Sequence, residues 1–204
     1  MALKLIIGNK NYSSWSLRAW IAMKVAGIAF DEEVIPVYEP GSREQVLKYS
    51  PAGKVPVLID GDTAIWESLA ILEYLAEKFP QAHLWPADAG ARGHARAVAA
   101  EMHGGFQALR KNCPMNLWLP VKPRPQPDEV MDNVRRIDAL WNDCRTRFGR
   151  GGPFLFGIFG AADAMYAPVV ARLHNHGISV GPRARLYGGG DGAPGVERME
   201  RRGA

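Results

Sequence analysis

Two hydrophobic periods alternate over the first 80 residues. Leu3–Ile7 is an apolar run of buried-strand length, and after a polar stretch Leu17, Trp20, Ile21 and Val25 recur at helical spacing until Gly27 supplies a C-terminal stop. Residues 28–37 read as a second strand, and residues 42–48 as a short helix with Ser42 as its N-cap, ending ahead of Pro51. Residues 55–59 and 63–66 flank Asp60-Gly61, a dipeptide that takes the positive φ angles of a tight hairpin. The next helix carries Leu69, Leu72, Leu75 and Phe79 on one face. The predicted order is β-α-β-α-β-β-α.

A Pro-, Ala- and Gly-rich stretch then changes the pattern, and everything beyond it is helical. Val98, Met102, Phe106 and Leu109 form one stripe, Val130, Val134, Ile137 and Trp141 a second, and Met165, Tyr166, Val169 and Leu173 a third. A Pro-rich connection, 114–127, separates the first two. The domains expected are therefore residues 1–80 (α/β), a linker over 81–90 and an all-α unit over 91–180. Residues 181–204 break the pattern: they hold seven of the 22 glycines, and apolar periodicity stops. They read as an atypical, disordered tail. Read from the second base of the Tyr187 codon, GC-rich codons permit an amphipathic string instead, which predicts a frame-shifted end.

Composition narrows the class. The chain has 204 residues, 47% of them hydrophobic, enough for one large core or two joined ones. Its start is too short in apolar residues for a secretory segment, and no stretch reaches bilayer length, so a cytoplasmic protein off the membrane is expected. Half of the net charge of +4 sits at the end, where the last 24 residues hold five Arg against Asp191, Glu197 and Glu200. With acids interleaved elsewhere, nucleic acid is not an expected partner. Cys113 and Cys144 lack redox-pair or zinc spacing and read as free thiols; His94, His103, His174 and His176 have no ligand partners at metal spacing, so no metal is expected.

Three windows carry chemistry. Ser13 and Ser14 lie where the first strand hands over to the first helix, a junction whose free N–H groups and positive dipole end favour an anion, or else the serines only cap the helix. A thiolate is one such anion, since a free thiol of pKa about 8.5 is lowered at a helix N-terminus. Val55-Pro56 precedes a strand and can leave the Val55 backbone open to an extended peptide. Glu67-Ser68 opens the third helix, where the serine and its amide can hold a carboxylate and the glutamate can face an ammonium. Together the three describe a sulfur pocket, a backbone ladder and a clamp for an amino-acid head, the three parts of glutathione.

The runs Ser13-Ser14-Trp15-Ser16-Leu17-Arg18, Lys54-Val55-Pro56-Val57-Leu58 and Glu67-Ser68-Leu69-Ala70-Ile71 resemble the cytosolic glutathione S-transferases, most closely the serine-type, zeta-like bacterial members, over roughly residues 3–180. The resemblance implies a thioredoxin-like domain followed by an all-helical domain, glutathione as co-substrate and a homodimer. It implies that Ser13, with Ser14 beside it, activates the sulfur. Lys54, Val55 and Pro56 would hold the cysteinyl part, and Glu67 and Ser68 the γ-glutamyl group. The electrophile pocket would take Trp15 and, from the first long helix of the second domain, Met102, His103, Phe106, Gln107 and Arg110. Where zeta enzymes place a cysteine, this chain has Trp15, a departure that bears on zeta-type isomerisation and not on thiol activation. The expected activity is transfer of glutathione to a small hydrophobic electrophile in detoxification; a maleylacetoacetate-type isomerase, a dehalogenase, or a non-catalytic glutathione-binding module are the alternatives. Gly160 and Asp163 resemble the start of the family's buried core helix, with Asp163 structural.

Overall fold

The computed structural model describes residues 2–181; the predicted tail lies outside them, apart from Gly181. Four strands form one mixed sheet in the order β2-β1-β3-β4, built from β1 (Leu3–Ile7), β2 (Phe30–Val34), β3 (Val57–Asp60) and β4 (Thr63–Trp66). β1 pairs in parallel with β2, and antiparallel with β3 in a register that sets Leu5 opposite Leu58. The parallel pair needs a crossover, which α1 (Ser14–Val25) provides. α2 (Ser42–Leu47) and α3 (Ser68–Lys78) complete the predicted order.

The second strand is shorter than its apolar reading, because the ladder with β1 closes at Val34 and Ile35, ahead of Pro36. Ser42 is not the cap of α2. Gly41 takes that place at φ +81°, while the Ser42 hydroxyl lies between the carbonyls of Pro36 and Glu39, accepts from the Glu39 N–H and fastens the preceding turn. In the hairpin only Gly61 adopts a positive φ.

The helical part comprises α4 (Ala89–Gly104), α5 (Gln107–Asn112), α6 (Asp128–Phe148) and α7 (Ala161–Asn175). The stripe from Val98 to Leu109 is buried throughout, yet it spans two helices: the chain breaks at Gly105, and Phe106 caps α5 in the left-handed region at φ +60°. Arg110 closes this corner by donating to the carbonyls of Met102, His103 and Gly105 at the frayed end of α4. The 81–90 segment is more than a surface strap, since Leu84 and Trp85 are buried and the Leu84 carbonyl accepts the N–H of Ala161 at the start of α7.

α7 is the centre of the helical part. Its N-terminus rests on Gly160, which has no side chain to cap with, so Asp163 supplies only one half of a capping box. One carboxylate oxygen accepts from the N–H of Gly160 (2.9 Å) and the other from Leu155 (3.0 Å). α7 packs on α4 and on α1, and one apolar core runs without a break from Leu5 and Leu72 to Trp141 and Tyr166. No helix among the described residues is long and apolar enough to cross a membrane.

Candidate active site

A cleft of about 1080 Å³ opens between the sheet's connecting loops and the helical part. That exceeds the usual range of about 300–1,000 Å³ for small-molecule sites, leaving room for a tripeptide and a second molecule. The β1–α1 junction forms its floor. Ser13 and Ser14 both line it, 8% and 7% exposed. Gly8 lets Ser13 sit there: a Cβ on Gly8 would come within 3.1 Å of the Ser13 side chain.

The two serines are held differently. Ser13 is the N-cap of α1; its hydroxyl accepts from the Ser16 N–H (3.4 Å) and donates to the Ser16 hydroxyl (2.8 Å), which in turn accepts from the Gly8 N–H (3.0 Å). The Ser14 hydroxyl instead accepts from a guanidinium nitrogen of Arg172, 158 residues away on α7 (3.2 Å). Of the first-turn amides, those of Ser13 and Ser14 bond back to the Asn9 and Tyr12 carbonyls, and that of Trp15 has no partner among the described residues.

The second window also faces the cleft. The Val55–Pro56 bond is cis, β3 begins at Val57, and Val55 lies outside the ladder on the cleft wall, with exposed Lys54 at the rim. In the third window the two residues part company. Glu67 lines the cleft at φ +68°, with its carboxylate 3.5 Å from the His103 ring. Ser68 is buried, and its hydroxyl turns inward to the sulfur of Met165 (3.9 Å), so a ligand at this helix start would meet backbone N–H groups and not the Ser68 side chain.

The residues expected around the electrophile divide as well. Trp15, His103 and Arg110 line the cleft. Met102 and Phe106 do not: both belong to the core beneath it. Gln107 is exposed and bonds to the Gly104 carbonyl, away from the cleft. Trp15 is held between two cations, with the guanidinium carbons of Arg18 and Arg110 at 4.3 and 4.9 Å from its ring and the His103 ring edge-on at 5.2 Å.

Sequence reasoning missed Arg18 and Arg172 as parts of the site. Arg18 is 0% exposed, and its Nε and one terminal nitrogen have no hydrogen-bond partner among the described residues. Burial, with Arg110 and Arg172 nearby, pushes its guanidinium down to about 9; burial and Arg110 push Arg172 down to about 10, so both stay charged at neutral pH. His103 is lowered too, by burial and by Arg18. Spacing offered no signal for Arg172, whose partners Ser14 and Cys113 are distant in the chain. Among the described residues no three His, Cys, Asp or Glu side chains converge, and both cysteines are buried thiols, with Cys144 pushed up to about 12 by burial.

A mixed sheet of this topology, joined to a helical domain with a cleft at the first strand-to-helix turn, defines the thioredoxin-like plus helical class of fold. The family model for the glutathione S-transferase N-terminal domain matches residues 12–78. A glutathione S-transferase of Triticum aestivum is 27% identical over 183 residues, covering 80% of this chain and 83% of its own length. A probable maleylacetoacetate isomerase of Caenorhabditis elegans is 34% identical over 97 residues, 48% of this chain and 45% of the relative. The chain spans about half the length of several such curated relatives. Among solved structures, a glutathione transferase homologue from Burkholderia with bound glutathione superposes with a TM-score of 0.69 over the whole of both chains at 19% identity, a likeness of fold. Residues 12–78 of the chain are thus a glutathione S-transferase N-terminal domain.

Proposed function

We propose that the chain is a glutathione transferase that binds glutathione in the cleft and adds its thiolate to a small electrophile. The observation that carries this is the Ser13–Ser14 pair, facing the cleft at the N-terminus of a twelve-residue helix near the guanidinium groups of Arg18, Arg110 and Arg172, none of which forms an ion pair among the described residues. Such a place lowers the pKa of a thiol, because the ionised sulfur gains a hydroxyl donor and the helix's positive end. The thiol proton leaves to solvent; the sulfur then bonds to the electrophilic carbon, and a leaving group such as chloride departs with its electron pair. Val55 offers main-chain partners to the cysteinyl part, Glu67 meets the ammonium of the γ-glutamyl group, and Lys54 at the rim faces a terminal carboxylate.

The cleft wall of Trp15, His103 and Arg110 supports a substrate with a flat or anionic portion as well as an apolar one. The likeness to a probable maleylacetoacetate isomerase keeps glutathione-dependent isomerisation as the second reading. A two-fold homodimer and a cytoplasmic location belong to the same proposal. Calorimetric titration with glutathione, alongside turnover of a chloronitrobenzene, tests it. Uptake with turnover supports a transferase, uptake without turnover supports a binding module, and no uptake refutes the reading.

A further inference from the structure

We infer that a second cavity beside the β1–α1 connection, separate from the cleft, is a binding site for a small aromatic carboxylate. It encloses about 280 Å³ and shares no wall residue with the cleft. The chain itself keeps the two apart. Residues 12–15 line the cleft, whereas Asn9, Lys10 and Asn11 before them and Ser16, Leu17 and Trp20 after them line the second cavity. The connection between α5 and α6 divides in the same way, with Pro114 and Met115 on the cleft and Leu117 and Trp118 on the cavity.

Size and wall set the body of the ligand. The volume lies just below the range of about 300–1,000 Å³ for drug-sized sites, which suits one ring or two fused rings. The apolar wall consists of Leu17, Val34 and Leu117 with two indoles, Trp20 and Trp118. Trp20 is held in place, since its ring N–H donates to Glu32 (2.8 Å). Trp118 is 74% exposed, while its backbone N–H is tied to the Asn11 side-chain oxygen (3.2 Å). A planar ligand would stack on these rings and cover Trp118, and burial of that apolar surface favours binding.

The polar groups set the sign of its charge. The side-chain oxygen of Asn9 accepts from the Asn11 N–H (2.8 Å) and that of Asn11 from the Trp118 N–H, which identifies the other atom of each amide as the nitrogen. Neither nitrogen has an acceptor among the described residues, and Asn11 is 2% exposed. The Ser16 hydroxyl on the same wall is already engaged, by the Gly8 N–H (3.0 Å) and by the Ser13 hydroxyl (2.8 Å). Lys10, on the cavity wall, and Lys24 share Glu32 at 2.6 and 3.1 Å, so two ammonium groups face one carboxylate. The unmatched side-chain groups are therefore donors, and the charge beside them is positive. A carboxylate supplies acceptors to the first and balances the second, whereas an uncharged ring does neither.

The test uses 2-naphthoate, with uncharged 2-naphthylmethanol beside it, on the full chain, followed by heteronuclear NMR of the six indole N–H groups. Trp20 and Trp118 should shift saturably with naphthoate at a dissociation constant below about 1 mM, while Trp15 on the cleft wall stays in place. Saturating glutathione should leave these shifts unchanged. Trp118→Ala should weaken uptake about tenfold by removing the outer ring. Val34→Trp, on the edge strand β2, should weaken it at least as much by filling the cavity. Lys10→Met should weaken naphthoate about fivefold and leave the alcohol unaltered, and added salt should act in the same direction.

Shifts centred on Trp15, or displacement by glutathione, would put the naphthoate in the cleft and overturn the inference. So would the lack of a saturable Trp118 shift up to about 10 mM. Equal uptake of alcohol and carboxylate would overturn the assignment of the charge. Should any variant not fold, the wild-type indole shifts and the comparison of the two naphthalenes still decide the question.

Discussion

Asp163 joins the two features on which α7 depends, a helix start without a capping side chain and a buried loop that must turn into it. Its carboxylate is 1% exposed and accepts from two backbone N–H groups, those of Gly160 and Leu155. Asp163→Ala leaves both amides without this acceptor, that of Leu155 buried and that of Gly160 partly buried. A buried donor left without a partner costs about 1–3 kcal/mol, so the pair predicts a loss of about 3 kcal/mol. For a chain of this size that lowers Tm by roughly 6–12 °C. Asp163→Asn retains one acceptor oxygen and should lose about half as much.

The pH dependence supplies an independent arm. Burial pushes the Asp163 carboxyl up to about 7 from an ordinary value of 3.8. The folded chain then binds more protons than the unfolded one between these values, so the Asp163 contribution to stability declines as pH rises from about 4 to 7. That decline should vanish in Asp163→Asn. Urea denaturation at several pH values measures both effects, and activity per folded molecule should hold. A Asp163→Ala loss under 1 kcal/mol would refute the reasoning, as would an unaltered pH slope in Asp163→Asn.

Further tests address the site and its frame. Glu67 adopts a φ of +68°, a region that costs a side chain about 1–3 kcal/mol, so Glu67→Gly should weaken glutathione binding about tenfold by calorimetry while thermal stability holds or rises. A simultaneous fall in both would count against a ligand role. His103 lies below its ordinary value of 6.5 through burial and Arg18, so the unfolded chain takes up its proton first and stability should fall as pH drops below that value. An NMR titration giving His103 a midpoint above 6.5 would contradict this. Gly177 has φ +61°, and a Cβ there would approach the Pro123 ring to 2.7 Å; Gly177→Ala should cost about 1–3 kcal/mol in chemical denaturation.

Much of the thioredoxin-like half was legible because its elements are short and each announces itself locally, by period, by Gly27, or by the Asp60-Gly61 turn. The Ser42 cap was misplaced because a serine beside a turn can bond backward to carbonyls as readily as forward to amides. The break at Phe106 was hidden since the apolar stripe continues across it, and Gly104-Gly105 was its only mark. The resemblance placed Met102, Phe106 and Gln107 on the electrophile wall, whereas Met102 and Phe106 lie in the core and Gln107 is exposed beside the Gly104 carbonyl. Ser13, Ser14, Val55 and Glu67, read from three short windows, line one cleft, whereas Arg172 on the same cleft was not read from the sequence, because its partners at Ser14 and Cys113 are distant in the chain and no spacing encodes a tertiary hydrogen bond. Ser68 shows the converse: its position invited a ligand, but a methionine nearly a hundred residues on claimed the hydroxyl.

The unbroken apolar core beneath the cleft has a consequence for how the molecule opens. Helices α1 and α7 share one packed interior, so exposing the amides of either requires parting both, and their hydrogen exchange should slow to a common rate set by global unfolding. Evolution could then vary the rim residues freely, while a change at the seam would be felt on both sides at once.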